Sequence, residues 1–159
     1  MKELLKYLII ALLISCSVED TELTFDKISE TKTGYSNIEL EILDLVNDYR
    51  LSKDIKALTL LNFVSSVALT HTNYMVETGL VDHHNFSERY FNLVYYANAK
   101  LVGEDIAYGY SCASGVVDAW IKSPGHIILL ENKDYTHFGI SIEQDSDLRS
   151  YFTLIFIKK

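Results

Sequence analysis

The chain has few of the cysteines that cross-link small domains and no cluster of the basic residues that bind nucleic acid. Its 159 residues include two cysteines, one proline and one tryptophan, and no cluster of lysine or arginine. Two cysteines cannot build the disulfide framework of a small secreted scaffold. A formal net charge of −8 offers no basic face to phosphate groups, so we expect no nucleic-acid partner. The 48% of hydrophobic residues predicts a folded core instead of a disordered chain.

No apolar run reaches the roughly 20 residues that a membrane-spanning helix needs. The run from Leu8 to Ile14 follows Lys2 and Lys6, an order typical of a secretory signal peptide. It ends in Ser15-Cys16, which resembles the lipoprotein box of bacteria, where the leader is cut before a cysteine that is then acylated. The alternative is an ordinary secretory signal followed by an unrelated cysteine.

The lipoprotein interpretation predicts a signal peptide over residues 1–15 and a lipid anchor at Cys16. The protein would be held on a bacterial membrane outside the cytoplasm, with the outer membrane or cell surface favoured. Residues 17–36 are polar and predict a flexible tether, so the domain would comprise residues 37–159. Loss of two lysines and one glutamate with the leader changes the net charge to −9. Cys112 would then be the one free thiol, and we expect it to be small, apolar and buried.

Hydrophobic periodicity predicts a chain of helices followed by strands. Ser36 and Glu39 form a capping-box pattern at the start of the first helix, and Gly79 is a plausible stop for the second. Ser123 and Pro124 are typical of an N-cap and first helical residue. The predicted helices cover 37–51, residue 60 to the Gly79 stop, 87–93, 111 or 114 to 122, and a short stretch from 124; the predicted strands cover 101–108, 138–143 and 151–157.

The last predicted strand, 151–157, is apolar almost throughout. A strand that is apolar on both faces must be covered on both sides, and helices are the available cover. The sequence therefore predicts an α/β (α+β) fold, a three-layer α-β-α sandwich with a small central antiparallel sheet.

Glu104 is the candidate centre of a site, because it lies among apolar residues and a buried carboxylate needs a partner. His83 and His126 are the imidazoles that we would pair with it. Two histidines and one glutamate with an open position could bind zinc or another divalent cation and activate water. The separations of 21 and 22 residues do not form a local metal motif. A surface His83 and a helix-capping His126 are therefore the simpler alternative, and His71 is expected in the core.

The whole pattern resembles the CAP superfamily of cysteine-rich secretory, antigen 5 and pathogenesis-related-one proteins, also called SCP domains, in its bacterial branch. The resemblance covers about residues 37–157. The matching segments are Val46-Asn47-Asp48-Tyr49-Arg50, Ala68 and Met75, His83 with Phe86 and Arg89, Gly103-Glu104-Asp105-Ile106-Ala107, Val116-Val117-Asp118-Ala119-Trp120, Ser123-Pro124-Gly125-His126, and Phe138-Gly139-Ile140.

The resemblance implies an α-β-α sandwich and a cleft with two histidines and two acids. His83 and His126 match the two histidines and Glu104 the first acid, although His84 is an alternative to His83. Ser123 stands where the second acid is expected, which weakens a metal site. Asp105 replaces the family's asparagine and could restore a negative charge, but strand alternation turns it to the other face.

The resemblance does not imply one activity, since lipid or sterol binding, zinc binding and proteolysis are each attributed to some members. We expect the protein to be a monomer that binds an unknown host or envelope molecule without catalysis. We therefore assign no catalytic residue. A metal-dependent hydrolase or peptidase using the same cleft is the alternative. A purely structural His/Glu cluster is the third interpretation.

Overall fold

The computed structural model describes residues 25–159. The predicted signal peptide and the predicted lipidated Cys16 lie outside these residues and stay predictions. Within residues 25–159, no helix is long and apolar enough to cross a membrane. The helices are α1 (Asn37–Ser52), α2 (Asn62–Thr78), α3 (Phe86–Ala97), α4 (Ala113–Lys122) and α5 (Pro124–Leu130), and the strands are β1 (Thr59–Leu60), β2 (Leu101–Tyr108), β3 (His137–Gln144) and β4 (Ser150–Lys158).

The four strands form one sheet in the order β1-β3-β4-β2. The antiparallel hairpin of β3 and β4 lies at its centre, as predicted, and β2 pairs antiparallel with β4. The sheet is nevertheless mixed, because the two-residue β1 runs parallel to β3. Two residues are too few to leave a period in the sequence, so this strand was not predicted.

The three-layer sandwich is confirmed by the way β4 distributes its side chains. Phe152, Leu154 and Phe156 pack into a core that they share with α1 and α4. Ile155 and Ile157 point the other way, into a second core shared with α2 and α3. Every residue of β4 up to Ile157 is buried, which explains why the strand is apolar on both faces.

Local capping signals explain several helix ends. The Ser36 hydroxyl accepts the backbone N–H of Glu39, and the Glu39 carboxylate accepts the backbone N–H of Ser36, so the predicted capping box is present. Gly79 ends α2 with a left-handed φ of 69°. Helix α3 is longer than the predicted 87–93, because Asn85 and Asn98 adopt left-handed conformations at its two ends.

Residues 25–36 contain no helix or strand, but several of them bind to the helices of the domain. The backbone N–H of Ile28 donates to Asn92 on α3, and that of Lys32 donates to Ser66 on α2. The part of the predicted tether over residues 25–36 is thus held against the domain, and its part over residues 17–24 lies outside the described residues and stays a prediction.

The prediction for Cys112 is wrong, because its thiol is exposed. Cys112 is the N-cap residue of α4, and the buried position belongs to its neighbour Ala113. The Cys112 sulfur lies 3.5 Å from the Ser114 hydroxyl. Hydrogen bonds from that hydroxyl and from the Gly115 backbone lower the pKa of the thiol.

Candidate functional site

Strand β2 carries Glu104 into the interior on the side of α2 and α3, where it is 6% exposed. The Arg89 side chain donates two hydrogen bonds to its two carboxylate oxygens, from Nε at 2.6 Å and from Nη2 at 2.7 Å. His83 Nδ1 lies 2.8 Å from Oε1. Burial would raise the pKa of Glu104, but the hydrogen bonds from His83 and Arg89 and the charge of Arg89 hold it below its ordinary value. The carboxylate is therefore ionised, and its charge is compensated by Arg89.

Arg89, on α3, is the partner of Glu104 that sequence reasoning missed. Its guanidinium is buried, and its remaining nitrogen, Nη1, donates to the backbone carbonyl of His84 at 2.7 Å. The sequence contained a signal for this role, because Arg89 lies on the same helical stripe as the buried residues Asn92, Leu93 and Ala97. A charged residue on an inward stripe requires a buried counter-charge.

The structure distinguishes the two neighbouring histidines. The ring of His83 reaches Glu104 while its side chain is 49% exposed. Because the ionised carboxylate can only accept, His83 donates from Nδ1, which leaves Nε2 as the ring nitrogen that can meet a ligand. His84 turns away and stacks on Tyr74 at 4.8 Å between ring centroids. It helps to line a separate small cavity of about 130 Å³ between α2, α3 and Ile28.

His126 occupies the first turn of α5 and is partly buried. Its position depends on Arg50 of α1, whose Nη1 donates to the carbonyls of Leu130 at 2.7 Å and Asn132 at 3.0 Å, at the far end of α5. Burial, followed by the charge of the nearby His83, lowers the pKa of His126. His83 and His126, the two histidines predicted from the sequence, are therefore close enough for the charge of one to affect the pKa of the other. Because its pKa is lowered, His126 is neutral at neutral pH.

Ser123 joins α4 to α5 and is the N-cap residue of α5, as predicted, but its side chain makes no capping hydrogen bond. Its backbone N–H donates to Ala119 and Trp120 at the end of α4. Ser123 thus stands at the position where the resemblance places a second acid, and it brings no negative charge to the cleft.

His71 lies in the core, as expected, with 1% of its surface exposed. Its Nε2 lies 2.7 Å from the carbonyl of Asp82 and 3.9 Å from Glu104 Oε1. Burial lowers the pKa of His71, so the ring is neutral and donates from Nε2. Its Nδ1 is buried without a hydrogen-bond partner.

Asp105 faces the opposite layer from Glu104 and is completely buried. Neither of its carboxylate oxygens has a hydrogen-bond partner. Burial, with a smaller contribution from the charge of Glu104, raises the pKa of Asp105 to about 8. The idea that Asp105 restores a negative charge to the cleft is therefore wrong, because the group is mostly protonated at neutral pH and lies on the other side of the strand.

The donor set fits a metal ion only in part. Imidazole nitrogens suit zinc, and His83 and His126 supply two of them. Across residues 25–159, however, no group of three or more histidine, cysteine, aspartate or glutamate side chains is arranged to hold a metal ion. Glu104 is committed to Arg89, so the site predicted from His83, Glu104 and His126 lacks an available anionic ligand.

Comparisons with known proteins identify the family and the fold. The sequence model of the cysteine-rich secretory protein family (CAP) matches residues 43–156. The uncharacterised membrane protein YlbC of Bacillus subtilis is 32% identical over 126 residues, which is 76% of this chain and 34% of that protein. A second uncharacterised protein of that bacterium, YkwD, is 28% identical over 135 residues, or 79% and 51% of the two chains. This chain thus spans between a third and about half of these relatives.

Among solved structures, an outer surface protein of Borrelia burgdorferi superposes with a TM-score of 0.70. It is 22% identical, and the match covers 79% of this chain and 96% of that protein. At that level of identity the similarity establishes the fold alone.

Proposed function

Because the chain belongs to the cysteine-rich secretory protein (CAP) family, we propose that it is a lipid-anchored extracytoplasmic protein that binds a ligand in its cleft without catalysis. The names of two relatives, a membrane protein and an outer surface protein, support a place outside the cytoplasm. The signal-like N-terminus and the lipoprotein-like Ser15-Cys16 support the anchor.

The engagement of Glu104 is the observation that carries the binding function. A general base or a metal-binding carboxylate needs an oxygen that can reach water or the ion. Glu104 already accepts two hydrogen bonds from Arg89 and one from His83, and Arg89 cancels its charge. The hydrolase that two histidines and one glutamate would suggest therefore lacks its central group.

The surroundings of His83 suggest the class of ligand. Its Nε2 can form one hydrogen bond with a ligand hydroxyl, because a hydroxyl group can both donate and accept. Leu80 and Val81, three and two residues earlier, are 54% and 44% exposed and add two neighbouring apolar side chains to this segment. An amphipathic molecule with one hydroxyl group, such as a sterol or another lipid of the host or of the bacterial envelope, would suit both features.

A divalent cation is not required by this proposal. His83 and His126 would be the residues that hold zinc, and a bound ion would supply a Lewis acid to the cleft. Two imidazoles without an anionic third ligand make a weak site, because Ser123 stands in place of the second acid and Glu104 is paired with Arg89.

The binding function is tested by titrating the soluble chain, residues 17–159, with a fluorescent sterol analogue. We expect the double variant His83→Ala, His126→Ala to bind about tenfold more weakly, the loss of one good hydrogen bond. His137→Ala is the matched control, because His137 lies on β3 and is bonded to Thr136. Equal affinity in all three proteins would remove the cleft from the proposal.

The hydrolase alternative is tested in the same preparation with added zinc and a panel of ester and peptide substrates. The binding proposal expects no turnover above that of the double variant. Zinc-dependent turnover that disappears both in His83→Ala and in Glu104→Gln would show that the cleft is catalytic after all.

The anchor is tested separately by growing cells that express the full chain with labelled palmitate. The chain has only two cysteines, so Cys112→Ala is a natural control for Cys16→Ala. We expect label in the parent chain and in Cys112→Ala, and none in Cys16→Ala. Label that persists in Cys16→Ala, or none in the parent chain, would contradict the anchor.

A further inference from the structure

The outward face of α3 is rich in aromatic residues, and Glu88 is its one charged residue. Ser87, Tyr90, Phe91, Val94, Tyr95 and Asn98 recur at spacings of three and four residues and so lie on one side of the helix. The opposite side holds the buried residues that bind Glu104 and fill the core. Tyr95 is 72% exposed and Tyr90 is 37% exposed. A solvent-facing helix surface normally carries several charges, so this face, which we call the aromatic face of α3, requires an explanation.

The described chain begins on this same face. The ring of Phe25 stacks on that of Phe91, with 4.7 Å between centroids. Two hydrogen bonds join this segment to Asn92, which donates to the carbonyl of Asp26 and accepts the N–H of Ile28. The chain therefore enters the domain at α3, and these contacts fix its entry point.

The entry point limits how far the aromatic face can be from a lipid on Cys16. Eight residues lie between Cys16 and Phe25, so nine Cα–Cα steps give a covalent reach of at most about 30 Å. Helix α5, in contrast, lies in the opposite helical layer, where Ile128 is 66% exposed. An anchor at Cys16 would thus hold the aromatic face of α3 closest to the bilayer.

The chemistry of the face suits the interfacial region of a membrane. Tyrosine side chains are enriched there, because the ring is apolar and the hydroxyl reaches water or headgroups. The Lys27 ammonium lies 5.3 Å from the centre of the Tyr96 ring at the edge of the face. Asp26 and Glu88 lie near Lys27, and Lys32 is buried in a pair with Glu39, so the face has no excess of positive charge. A face without excess positive charge matches zwitterionic headgroups and does not need anionic lipids.

We propose that the aromatic face of α3 docks on the surface of the membrane that carries the Cys16 lipid. This inference rests on the anchor of the proposed function. It assigns to Tyr90, Phe91, Val94 and Tyr95 a contact with lipid headgroups, and it turns the layer of α1, α4 and α5 away from the membrane.

Hydrogen exchange on a chemically anchored chain tests the docking. Residues 16–159 with Cys112→Ser are coupled through Cys16 to a maleimide lipid in phosphatidylcholine vesicles, and in parallel to a soluble maleimide polyethylene glycol. A face that is docked about 80% of the time slows exchange about fivefold by mass action. We expect that slowing in residues 86–97 of the vesicle-bound protein, no slowing in residues 124–130, and no loss of the effect in 0.5 M salt, a condition of roughly 4 Å screening length.

Variants separate lipid contact from a general effect of coupling. Replacing Tyr90 and Tyr95 together by serine should return exchange in α3 to the rate of the soluble conjugate. Ile128→Ser is the matched control, because it removes an equally exposed apolar side chain from the opposite layer. It should leave the slowing intact.

Three results would overturn the proposal. Equal exchange in the vesicle and soluble conjugates would show that the face stays in water. Slowing in residues 124–130 instead of 86–97 would show that the other layer meets the membrane. Slowing that grows with the surface density of protein would assign the face to a second copy of the chain. Chemical coupling replaces acylation in this experiment. Absence of palmitate label in cells would therefore refute the natural anchor, whereas the hydrogen-exchange result would still test whether the aromatic face of α3 docks on a membrane.

Discussion

Replacement of Asp105 by asparagine should stabilise the protein at neutral pH. The Asp105 carboxyl is completely buried, and neither oxygen finds a hydrogen-bond donor. Burial, followed by the charge of Glu104, raises its pKa from 3.8 to about 8. Asparagine has nearly the same shape as the protonated acid and cannot ionise, so it removes the cost of ionisation without creating a cavity.

The sign and size of the effect follow from proton linkage. A folded-state pKa above the unfolded value means that the folded protein holds the proton more tightly, so stability falls as pH rises from 3.8 towards 8. Each pH unit within that interval costs about 1.4 kcal/mol, so the loss at pH 7 is about 4 kcal/mol. Asp105→Asn should therefore be about 4 kcal/mol more stable than the parent at pH 7, a large share of an ordinary folding free energy.

The assay is urea unfolding followed by the fluorescence of Trp120, which is the one tryptophan and is 1% exposed. Measured from pH 4 to pH 8.5, the difference between the two proteins should be small at pH 4 and grow with pH. Other titrating groups are present in both chains, so they cancel in the difference. Asp118→Asn is the control, because Asp118 is exposed and paired only with Lys122, and it should change stability by less than about 1 kcal/mol.

Two results would refute this reasoning. If the parent and Asp105→Asn show the same dependence on pH, Asp105 ionises in the folded protein without cost. If the asparagine variant is less stable at pH 7, the carboxylate has a cationic or water partner that the packing does not reveal.

Three further predictions concern the neighbourhood of Glu104. Arg89→Ala should lower the free energy of unfolding by about 3–5 kcal/mol, because Glu104 is left buried without its counter-charge, and Lys122→Ala, which breaks an exposed pair, should cost less than about 1 kcal/mol in the same urea titration. Acid should destabilise the protein as pH falls below 4.5. The lowered pKa of Glu104 means that its contribution to folding stability is fully present above that pH and is lost below it. Glu104→Gln should flatten this part of the pH profile of stability, and an unchanged profile would contradict the pairing with Arg89. Gly103→Ala would press its Cβ against the Tyr135 hydroxyl oxygen and should cost about 1–3 kcal/mol, and adding Tyr135→Phe should recover part of the loss in thermal unfolding, whereas no recovery would mean that the clash lies elsewhere.

The parts of the fold that could be predicted are those governed by local pattern. The apolar run of β4 required cover on both sides, and the structure supplies it. Ser36 and Gly79 marked helix ends, because capping hydrogen bonds and a left-handed turn depend on the residues at those positions. β1 escaped prediction, because two residues have no periodicity and pair with β3 through tertiary position alone.

The parts of the site that could not be predicted depend on which residue, distant in the sequence, pairs with Glu104. The sequence showed that Glu104 needed a partner and pointed to His83, which the structure places on it. It did not show that Arg89, fifteen residues earlier, would bind both carboxylate oxygens. That pairing decides the chemistry of the cleft. The position of Arg89 on the inward stripe of α3 indicated a buried counter-charge, and the packing of α3 against β2 decides that this counter-charge is Glu104. The prediction that Cys112 is buried was wrong for a local reason. A difference of one residue in the start of α4 exchanges a buried position for an exposed one.

The most direct test is a pH titration of the Glu104 carboxyl monitored by carbon-13 NMR, with and without zinc. It shows whether the pairing with Arg89 prevents this carboxylate from acting as a base or a metal ligand. The pairing predicts a single ionisation below the ordinary pKa of 4.5 and no change in the carboxyl signal when zinc is added. An ionisation above 4.5, or a signal that shifts with zinc and returns when the zinc is removed, would show a free carboxylate and contradict the binding-only cleft.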